Sequence, residues 1–323
     1  MHIKNCSPSA NLYILGRGKW KHGLTASKKI YKVTLMAKPR VKEQMEKVDA
    51  IAGSYRELAS SLSLHRALLE ALRPLDESEG RGASKNLDWS ILSSLVERSL
   101  KEKKHLGSYV DSSAFDPAVF KDTFLRVLDV LQGMHPSEGE LALLSDVMEN
   151  GKMDAVDAIR ALLNEDASWL KKKGLELGVD PSLLLSVLEL PLRPFFEELA
   201  RRFEDAYIED WWEPHCPICG RKPPTGRMRG KKLYLVCAFC GDRYAADLFQ
   251  CISCGNKDPT KLAFISPEGH PELEIQYCEV CKTYIKVVNE DKPGGVIPLG
   301  LEDVLTRGLD DLAQLPELGL RRY

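Results

Sequence analysis

The 323-residue sequence lacks the features of a membrane-bound or exported protein. It contains no uninterrupted apolar stretch of about 18 residues, so we expect no transmembrane helix. Its N-terminus has no apolar core followed by a small-residue cleavage site, so we expect no secretory signal. An excess of charge of one sign is also missing: the formal net charge is -2, which gives no global reason to expect a nucleic acid or an anionic membrane as partner. We therefore expect a soluble, intracellular protein without membrane insertion.

Signatures of cofactor-dependent catalysis are missing as well. No glycine-rich dinucleotide-binding fingerprint follows a strand pattern, and no flavin signature is present. The helical part of the chain offers no recognised catalytic constellation. These absences argue against an oxidoreductase that uses its cysteines as an electron relay.

Residues 1–35 differ from the rest because they contain seven lysines or arginines and no acidic residue, without a sustained period. We interpret them as a basic, poorly ordered extension, or as a stretch translated from a misassigned start. A basic tail that binds an acidic partner is the alternative. Cys6, the one cysteine in this segment, is assigned no role.

Residues 36–212 show apolar positions at steps of three and four, as Val41, Met45 and Val48 illustrate, which predicts a helical domain. A polar, glycine-containing loop is predicted at 76–88. Helix starts are indicated where an aspartate precedes a proline, which fits an N-cap followed by proline at the first helical position, and where a serine precedes a glutamate by three residues, which fits a capping box. These signals are Asp116-Pro117, Asp180-Pro181 and Ser137 with Glu140.

Paired cysteines dominate the chain beyond Pro214, where four Cys-x-x-Cys motifs occur within 70 residues. Two cysteines separated by two residues can wrap a tight turn around one ion, and a glycine after the second cysteine eases that turn. Eight cysteines match two closed four-cysteine sites, and a reducing cytosol favours metal ligation over disulfides. The pairs are Cys216/Cys219, Cys237/Cys240, Cys251/Cys254 and Cys278/Cys281.

Spacing along the chain predicts how the four motifs combine. The first and second are separated by 17 residues and the third and fourth by 23, which leaves room for a hairpin in each case, whereas only 10 residues separate the second from the third. We therefore predict a first four-cysteine ribbon at 213–248 and a second at 249–290, with strands at 233–236 and 283–288. An interleaved pairing of the first motif with the third is the alternative. A C-terminal helix and tail at 291–323 completes an α+β fold with an N-terminal all-α domain and two rubredoxin-like or zinc-ribbon modules.

The ion itself is not fixed by the ligands, because thiolate tetrahedra suit zinc and rubredoxin-type iron alike. Zinc is the default, and sites closed by four cysteines leave no open position for Lewis-acid catalysis. His215 and His270 lie near the motifs, and either could replace a cysteine as a ligand. Because eight thiols are available, we interpret both as surface groups or as neighbours of the ligands.

Residues 221–232 carry six positive charges and no acid. We expect this segment to be the loop of the first hairpin. It is either a docking patch for an anionic partner or a solvated turn that offsets the charge of the thiolates. The candidate docking residues are Arg221, Lys222, Arg227, Arg229, Lys231 and Lys232.

The combination of these features resembles the FdhE family of accessory proteins for formate dehydrogenase maturation. The resemblance lies in a helical region followed by Cys-Pro-Ile-Cys-Gly, Cys-Ala-Phe-Cys-Gly, Cys-Ile-Ser-Cys-Gly and Cys-Glu-Val-Cys-Lys, in the strand after them, and in Leu309-Asp310-Asp311-Leu312-Ala313. It covers roughly residues 40–322 and is most specific over 214–322. In the helical half, the stretch around Asp180 and residues 194–197 carries most of it.

The resemblance implies a cytoplasmic protein without catalytic activity. Such a protein would assist assembly of a molybdenum- or tungsten-dependent formate dehydrogenase by contacting its catalytic subunit before export by the twin-arginine route. All eight cysteines carry over as metal ligands, and the family's rubredoxin-like sites favour two iron ions, with zinc as the alternative. The basic extension and the strong charge of residues 221–232 depart from the family pattern.

A zinc-ribbon protein that binds nucleic acid is the alternative function. It would depend on the basic segment and on Tyr234, Phe239 and Tyr244 as stacking groups. The slightly acidic chain and the absence of a basic stripe in the helical half argue against it, so nucleic acid is not the expected partner.

Overall fold

The computed structural model describes residues 41–77, 89–134, 139–207 and 210–323. The basic extension 1–35, residues 78–88 of the predicted loop and Ser137 of the predicted capping box lie outside these ranges. Among the described residues, no helix is both long and apolar enough to cross a membrane.

Nine α-helices account for most of the described chain before the cysteine motifs, as the apolar periodicity predicts. They are α1 (Val41–Ile51), α2 (Ala59–Glu77), α3 (Trp89–Glu102), α4 (Pro117–Met134), α5 (Gly139–Glu149), α6 (Ala155–Leu163), α7 (Ala167–Leu177), α8 (Pro181–Leu188) and α9 (Arg193–Tyr207). Both aspartate–proline signals are confirmed: Asp116 accepts a hydrogen bond from the Ala118 amide, and Asp180 accepts from Ser182 and Leu183.

Seven strands follow: β1 (Thr225–Arg229), β2 (Lys232–Val236), β3 (Arg243–Ala246), β4 (Leu262–Ile265), β5 (Leu273–Cys278), β6 (Thr283–Asn289) and β7 (Arg321–Arg322). The predicted α+β class is therefore confirmed. In place of the single C-terminal helix expected at 291–323, two short helices stand before β7: α10 (Glu302–Leu305) and α11 (Arg307–Ala313).

The two ribbons share one sheet of order β3-β2-β1-β6-β5-β4, with β7 paired to β6. Within each ribbon the strands run antiparallel, whereas β1 and β6 join the ribbons by parallel pairing, with Thr225 opposite Lys286. The expectation that residues 221–232 form a loop is wrong, because 225–229 are strand β1 and the turn is confined to Gly230 and Lys231. Strand β1 pairs with β2 on one side and with β6 on the other, and this pairing makes the segment a strand although its many charges predict an exposed loop.

The main apolar core extends from the helical domain into the sheet. It includes Leu199 and Phe203 of α9, together with Leu235 and Tyr244 of the first ribbon and Val287 of β6. Two smaller cores join α1 and the C-terminal helices to this body. Leu301 packs with α1 and α2, and α11 packs on β5 and β6 through Leu309 and Ala313. The first ribbon thus shares a core with the helices.

Candidate metal centres

Each cysteine motif forms the same backbone turn. In the first, the amide of Cys216 donates to the Arg221 carbonyl (2.8 Å) and the amide of Gly220 donates to the Cys216 carbonyl (2.9 Å). The residue after the second cysteine has a positive φ in all four motifs, which favours glycine. Lys282 adopts that conformation (φ 58°) without being glycine, so the fourth turn holds a strained residue.

These turns bring the eight cysteines together in two groups. One contains Cys216, Cys219, Cys237 and Cys240, and the other contains Cys251, Cys254, Cys278 and Cys281. In each group, one ligand atom per residue lies within 4.8 Å of the others. This is the sequential grouping predicted from spacing, and the interleaved one is not seen. Each group could hold one metal ion.

The sulfur separations fit a tetrahedral ion. Cys216 Sγ lies 3.4 Å from Cys240 Sγ and Cys219 Sγ lies 3.5 Å from Cys237 Sγ, and the corresponding distances in the second group are 3.7 and 3.8 Å. Four metal–sulfur bonds of about 2.3 Å place the sulfurs about 3.8 Å apart. Both donor sets therefore suit zinc or ferrous and ferric iron.

Protonation of the first group shows why it would take up a cation. Complete burial raises the pKa of Cys216 and of Cys240 well above the usual value, whereas hydrogen bonds from the neighbouring thiols lower the pKa of Cys237 far below it. Four thiolates together require a positive ion.

The second group has a milder environment. Burial raises the pKa of Cys251 to about 12. Burial also acts to raise the pKa of Cys281, but hydrogen bonds from Thr283 and from the other cysteines outweigh it and bring the value to about 6. Cys254 is exposed and Cys281 is half-buried, so this group lies at the protein surface.

The helical domain covers the first group directly. The amides of Leu106 and Gly107, just after α3, donate to the carbonyls of Pro217 and Ile218 inside the first motif (2.7 and 2.9 Å). Phe196 of α9 packs on Phe239 of the second motif, with ring centroids 5.7 Å apart. Backbone bonds and apolar contacts thus close the site from the helical side.

Arg221 completes this cover. Its guanidinium donates to Glu189 (2.6 Å) and lies 3.4 Å from the centre of the Phe239 ring. Burial acts to lower the pKa of Arg221, but the adjacent Cys219 sulfur and Glu189 carboxylate outweigh it and raise the pKa above its usual value. Arg221 is therefore engaged within the protein, beside the thiolates.

Arg227 is also engaged within the protein. It is 5% exposed, and its guanidinium bonds Glu302 (2.7 Å), Glu290 (2.7 Å) and the Ile297 carbonyl (2.9 Å). The structure therefore does not bring the six predicted docking residues together on one surface. The exposed members are Lys222, Arg229, Lys231 and Lys232. Of these, Arg229 bonds Glu290 and Lys222 lies over the Tyr323 ring.

Neither histidine near the motifs belongs to the cysteine groups. His215 is half-buried, its carbonyl accepts a bond from Trp211 Nε1 (2.7 Å), and burial lowers its pKa. His270 is paired with Glu272 (3.1 Å). The three aromatic residues proposed to stack on bases are all buried, at 4, 8 and 0% exposure for Tyr234, Phe239 and Tyr244. They pack the core, so they do not offer a base-stacking surface.

Sequence analysis missed His105 and Glu165. The His105 ring bonds Glu165 (3.1 Å) and lies against Gly220, and burial lowers the pKa of His105. The backbone of Glu165 is left-handed (φ 51°) although it is not glycine. No signal in the sequence points to either residue, since both lie more than 50 residues before the first cysteine motif.

Fold and site define a class of protein in which a helical domain is joined to a paired four-cysteine ribbon module. No family model matches the chain. A search of curated proteins finds an FdhE homolog of Aquifex aeolicus (strain VF5), 29% identical over 181 residues, which cover 53% of this chain and 63% of that protein. It also finds an FdhE homolog of Glaesserella parasuis serovar 5 (strain SH0165), 28% identical over 234 residues, which cover 70% and 65%. The chain thus matches less than two thirds of the length of either relative.

Among solved structures, the crystal structure of the FdhE protein from Pseudomonas aeruginosa has a TM-score of 0.55 and 20% identity to this chain. The match covers 87% of this chain and 92% of that one. At this identity the likeness concerns the fold. Together with the two curated relatives, it confirms the predicted resemblance to the FdhE family.

Proposed function

We propose that the protein is a non-catalytic accessory protein that assists the maturation of a molybdenum- or tungsten-dependent formate dehydrogenase in the cytoplasm. The observation that carries this proposal is the sequence similarity to two FdhE homologs. The two four-cysteine groups, each able to hold one metal ion, are consistent with this proposal.

In this proposal, the eight cysteines of the two groups are the metal ligands, and within the described part of the chain no other residue joins either group. Iron is favoured because the resemblance is to proteins with rubredoxin-like sites, and zinc is the alternative. Iron would allow one-electron chemistry, whereas zinc would restrict the ions to holding the fold. Elemental analysis and the visible charge-transfer bands of aerobically purified protein distinguish the two.

The partner in this proposal is the catalytic subunit of the dehydrogenase. The exposed basic residues on either side of the Gly230 turn, Lys231, Lys232 and Arg229, together with Lys222, are the proposed docking residues. The nearby acids Glu290 and Asp291 bond Arg229 and the Gly230 amide, and so they reduce the local positive charge. Docking there would depend on salt, because exposed charges are screened within about 10 Å at 0.1 M ionic strength.

A binding measurement tests the function. The purified, metal-loaded chain is titrated with the purified catalytic subunit, and separately with a single-stranded oligonucleotide at low salt. We expect saturable binding to the subunit only, weakened at least about fivefold by Lys231→Glu with Lys232→Glu, because these substitutions reverse two exposed charges. Lys171→Glu with Lys172→Glu, at two adjacent exposed lysines of α7, is the matched control and should bind normally. Binding to the oligonucleotide with a steep salt dependence, and none to the subunit, would overturn the proposal.

A further inference from the structure

The two cysteine groups differ sharply in solvent access. All four cysteines of the first group are at most 5% exposed. In the second group, Cys278 and Cys251 are buried, Cys281 is half-buried and Cys254 is exposed. Two sites with the same ligands and similar sulfur separations therefore lie in different surroundings.

Equivalent glycines in the first and third motifs show the same contrast. Gly220 and Gly255 both follow the second cysteine of their motif, with φ of 77° and 73°. A Cβ on Gly220 would meet the His105 ring at 2.7 Å and the Glu165 carboxylate at 2.8 Å. A Cβ on Gly255 would meet only the end of Gln250, at 3.9 Å. The first motif is packed against the helices, and the third is open.

The surroundings of the second group also leave space for an incoming ligand. A groove of about 350 Å³ runs along the third motif, where Cys251, Ser253 and Gly255 line it. Cys254 does not line this groove and is exposed to solvent directly. A cleft of about 310 Å³ reaches Cys219 in the first group, but that residue is only 5% exposed and its neighbours Arg221 and Phe196 line the same cleft. A competing donor meets an exposed cysteine only at the second group.

We infer that the two centres have different roles: the first is a permanent structural site, and the second is an exchangeable site that passes its ion to and from soft sulfur or nitrogen donors in solution. Cys254 is the ligand that opens it. As the donor atom of an incoming ligand forms a bond to the ion, the bond from Cys254 Sγ breaks, and the freed thiolate takes a proton from water. No electron is transferred. This inference rests on the proposal that both groups bind an ion.

Competition with a coloured chelator tests the inference. The full chain is loaded with zinc, its content is measured, and a pyridylazo-resorcinol chelator is added in excess without denaturant. We expect two ions per chain and two phases of release, one ion leaving at least about tenfold faster than the other, because solvent access to a site controls its exchange. Fewer than two ions at the start would contradict the proposed metal binding. Two ions released in one phase would overturn the inference alone.

Matched variants assign the fast phase to a site. Cys254→Ser should leave one ion per chain, remove the fast phase and keep the helical circular dichroism of the parent. Cys219→Ser should remove the slow phase and reduce that signal. Mass spectrometry after brief iodoacetamide treatment of the loaded parent gives a second measurement that needs no variant. Among the eight cysteines of the two groups, Cys254 should be alkylated first, and labelling of a first-group cysteine before Cys254 would refute the inference. Cys6 belongs to neither group, so its labelling does not count in this comparison.

Discussion

At the scale of single residues, the most informative side chains are two buried cations in the sheet. Lys286 of β6 is fully buried and bonds Asp303 (2.7 Å) and Asp310 (2.8 Å). Arg227 of β1 bonds Glu290 and Glu302. Three of these four acids belong to α10 and α11, so both cations fasten the C-terminal helices to the sheet. Because desolvation of both charges is costly, such pairs make only a modest net contribution to the free energy of unfolding. Loss of one partner is more destabilising, because it leaves a buried charge without a counter-charge.

A substitution of Arg227 can separate the effect of its side-chain shape from the effect of its charge. Arg227→Lys keeps the charge but removes the planar fork that reaches two carboxylates and a carbonyl at once. We expect it to lower the free energy of unfolding by about 1.5–3 kcal/mol, the range for lost hydrogen bonds to charged groups. Urea denaturation of the metal-loaded chain measures this.

Arg229→Lys is the matched control, because Arg229 lies on the same strand and bonds the same Glu290, yet its side chain is 50% exposed. It should cost less than about 1 kcal/mol. Equal losses in the two variants would show that burial of Arg227 does not decide its contribution.

At the scale of elements, the contact between the helical domain and the first cysteine motif depends on a glycine. Gly107 donates its amide to the Ile218 carbonyl (2.9 Å), and a Cβ there would lie 2.9 Å from that oxygen and 2.5 Å from the Phe196 ring. The backbone of one element thus lies against the backbone of another, and there is no room for a side chain between them.

Gly107→Ala should therefore force the two elements apart. We expect a loss of about 1–3 kcal/mol, the usual cost of overpacking, and faster release of the slowly exchanging ion. Gly133→Ala is the control, because Gly133 lies in α4 and a Cβ there meets nothing within 4 Å. It should be neutral or stabilise the chain by up to about 1 kcal/mol. A Gly107→Ala variant as stable as the parent would contradict the close approach.

Which elements could be predicted depends on the range of the interactions that form them. The helices follow from a local period, and the cysteine turns follow from a spacing of three residues. The grouping of the eight cysteines also followed from distance along the chain. The parallel pairing of β1 with β6 did not, because Thr225 and Lys286 are far apart in the sequence. For the same reason Arg227 was interpreted as an exposed charge: its partner Glu302 is 75 residues away.

At the scale of the whole molecule, the shared core makes the helices and the first ribbon depend on each other. Cys216, Cys219, Cys237 and Cys240 all belong to the main apolar core, together with Phe196 and Leu199 of α9. Binding of an ion to such a site supplies folding free energy, because the unfolded chain does not present the four sulfurs together. Binding of the first ion should therefore also stabilise helices that contribute no ligand.

Metal removal tests this coupling. Apo protein, prepared by unfolding in chelator and refolding without metal, is compared with the loaded chain by thermal melts followed at 222 nm, where helices dominate the signal. We expect the helical midpoint to fall by at least about 5 °C, since each kcal/mol lost moves the midpoint by about 2–4 °C in chains of 150–250 residues. Adding zinc or iron back should restore it.

The second ion should matter far less to the helices, because none of the second-group cysteines belongs to the shared core. Loaded Cys254→Ser protein should therefore melt at 222 nm close to the loaded parent, while its apo form falls as far as the apo parent does. If the midpoint of the helical transition changed on removal of neither ion, the two halves would unfold independently in spite of their common core. If the midpoint fell equally on loss of either ion, the second ribbon would belong to the same cooperative unit as the helices. The β1–β6 pairing that joins the sheet would then transmit the effect.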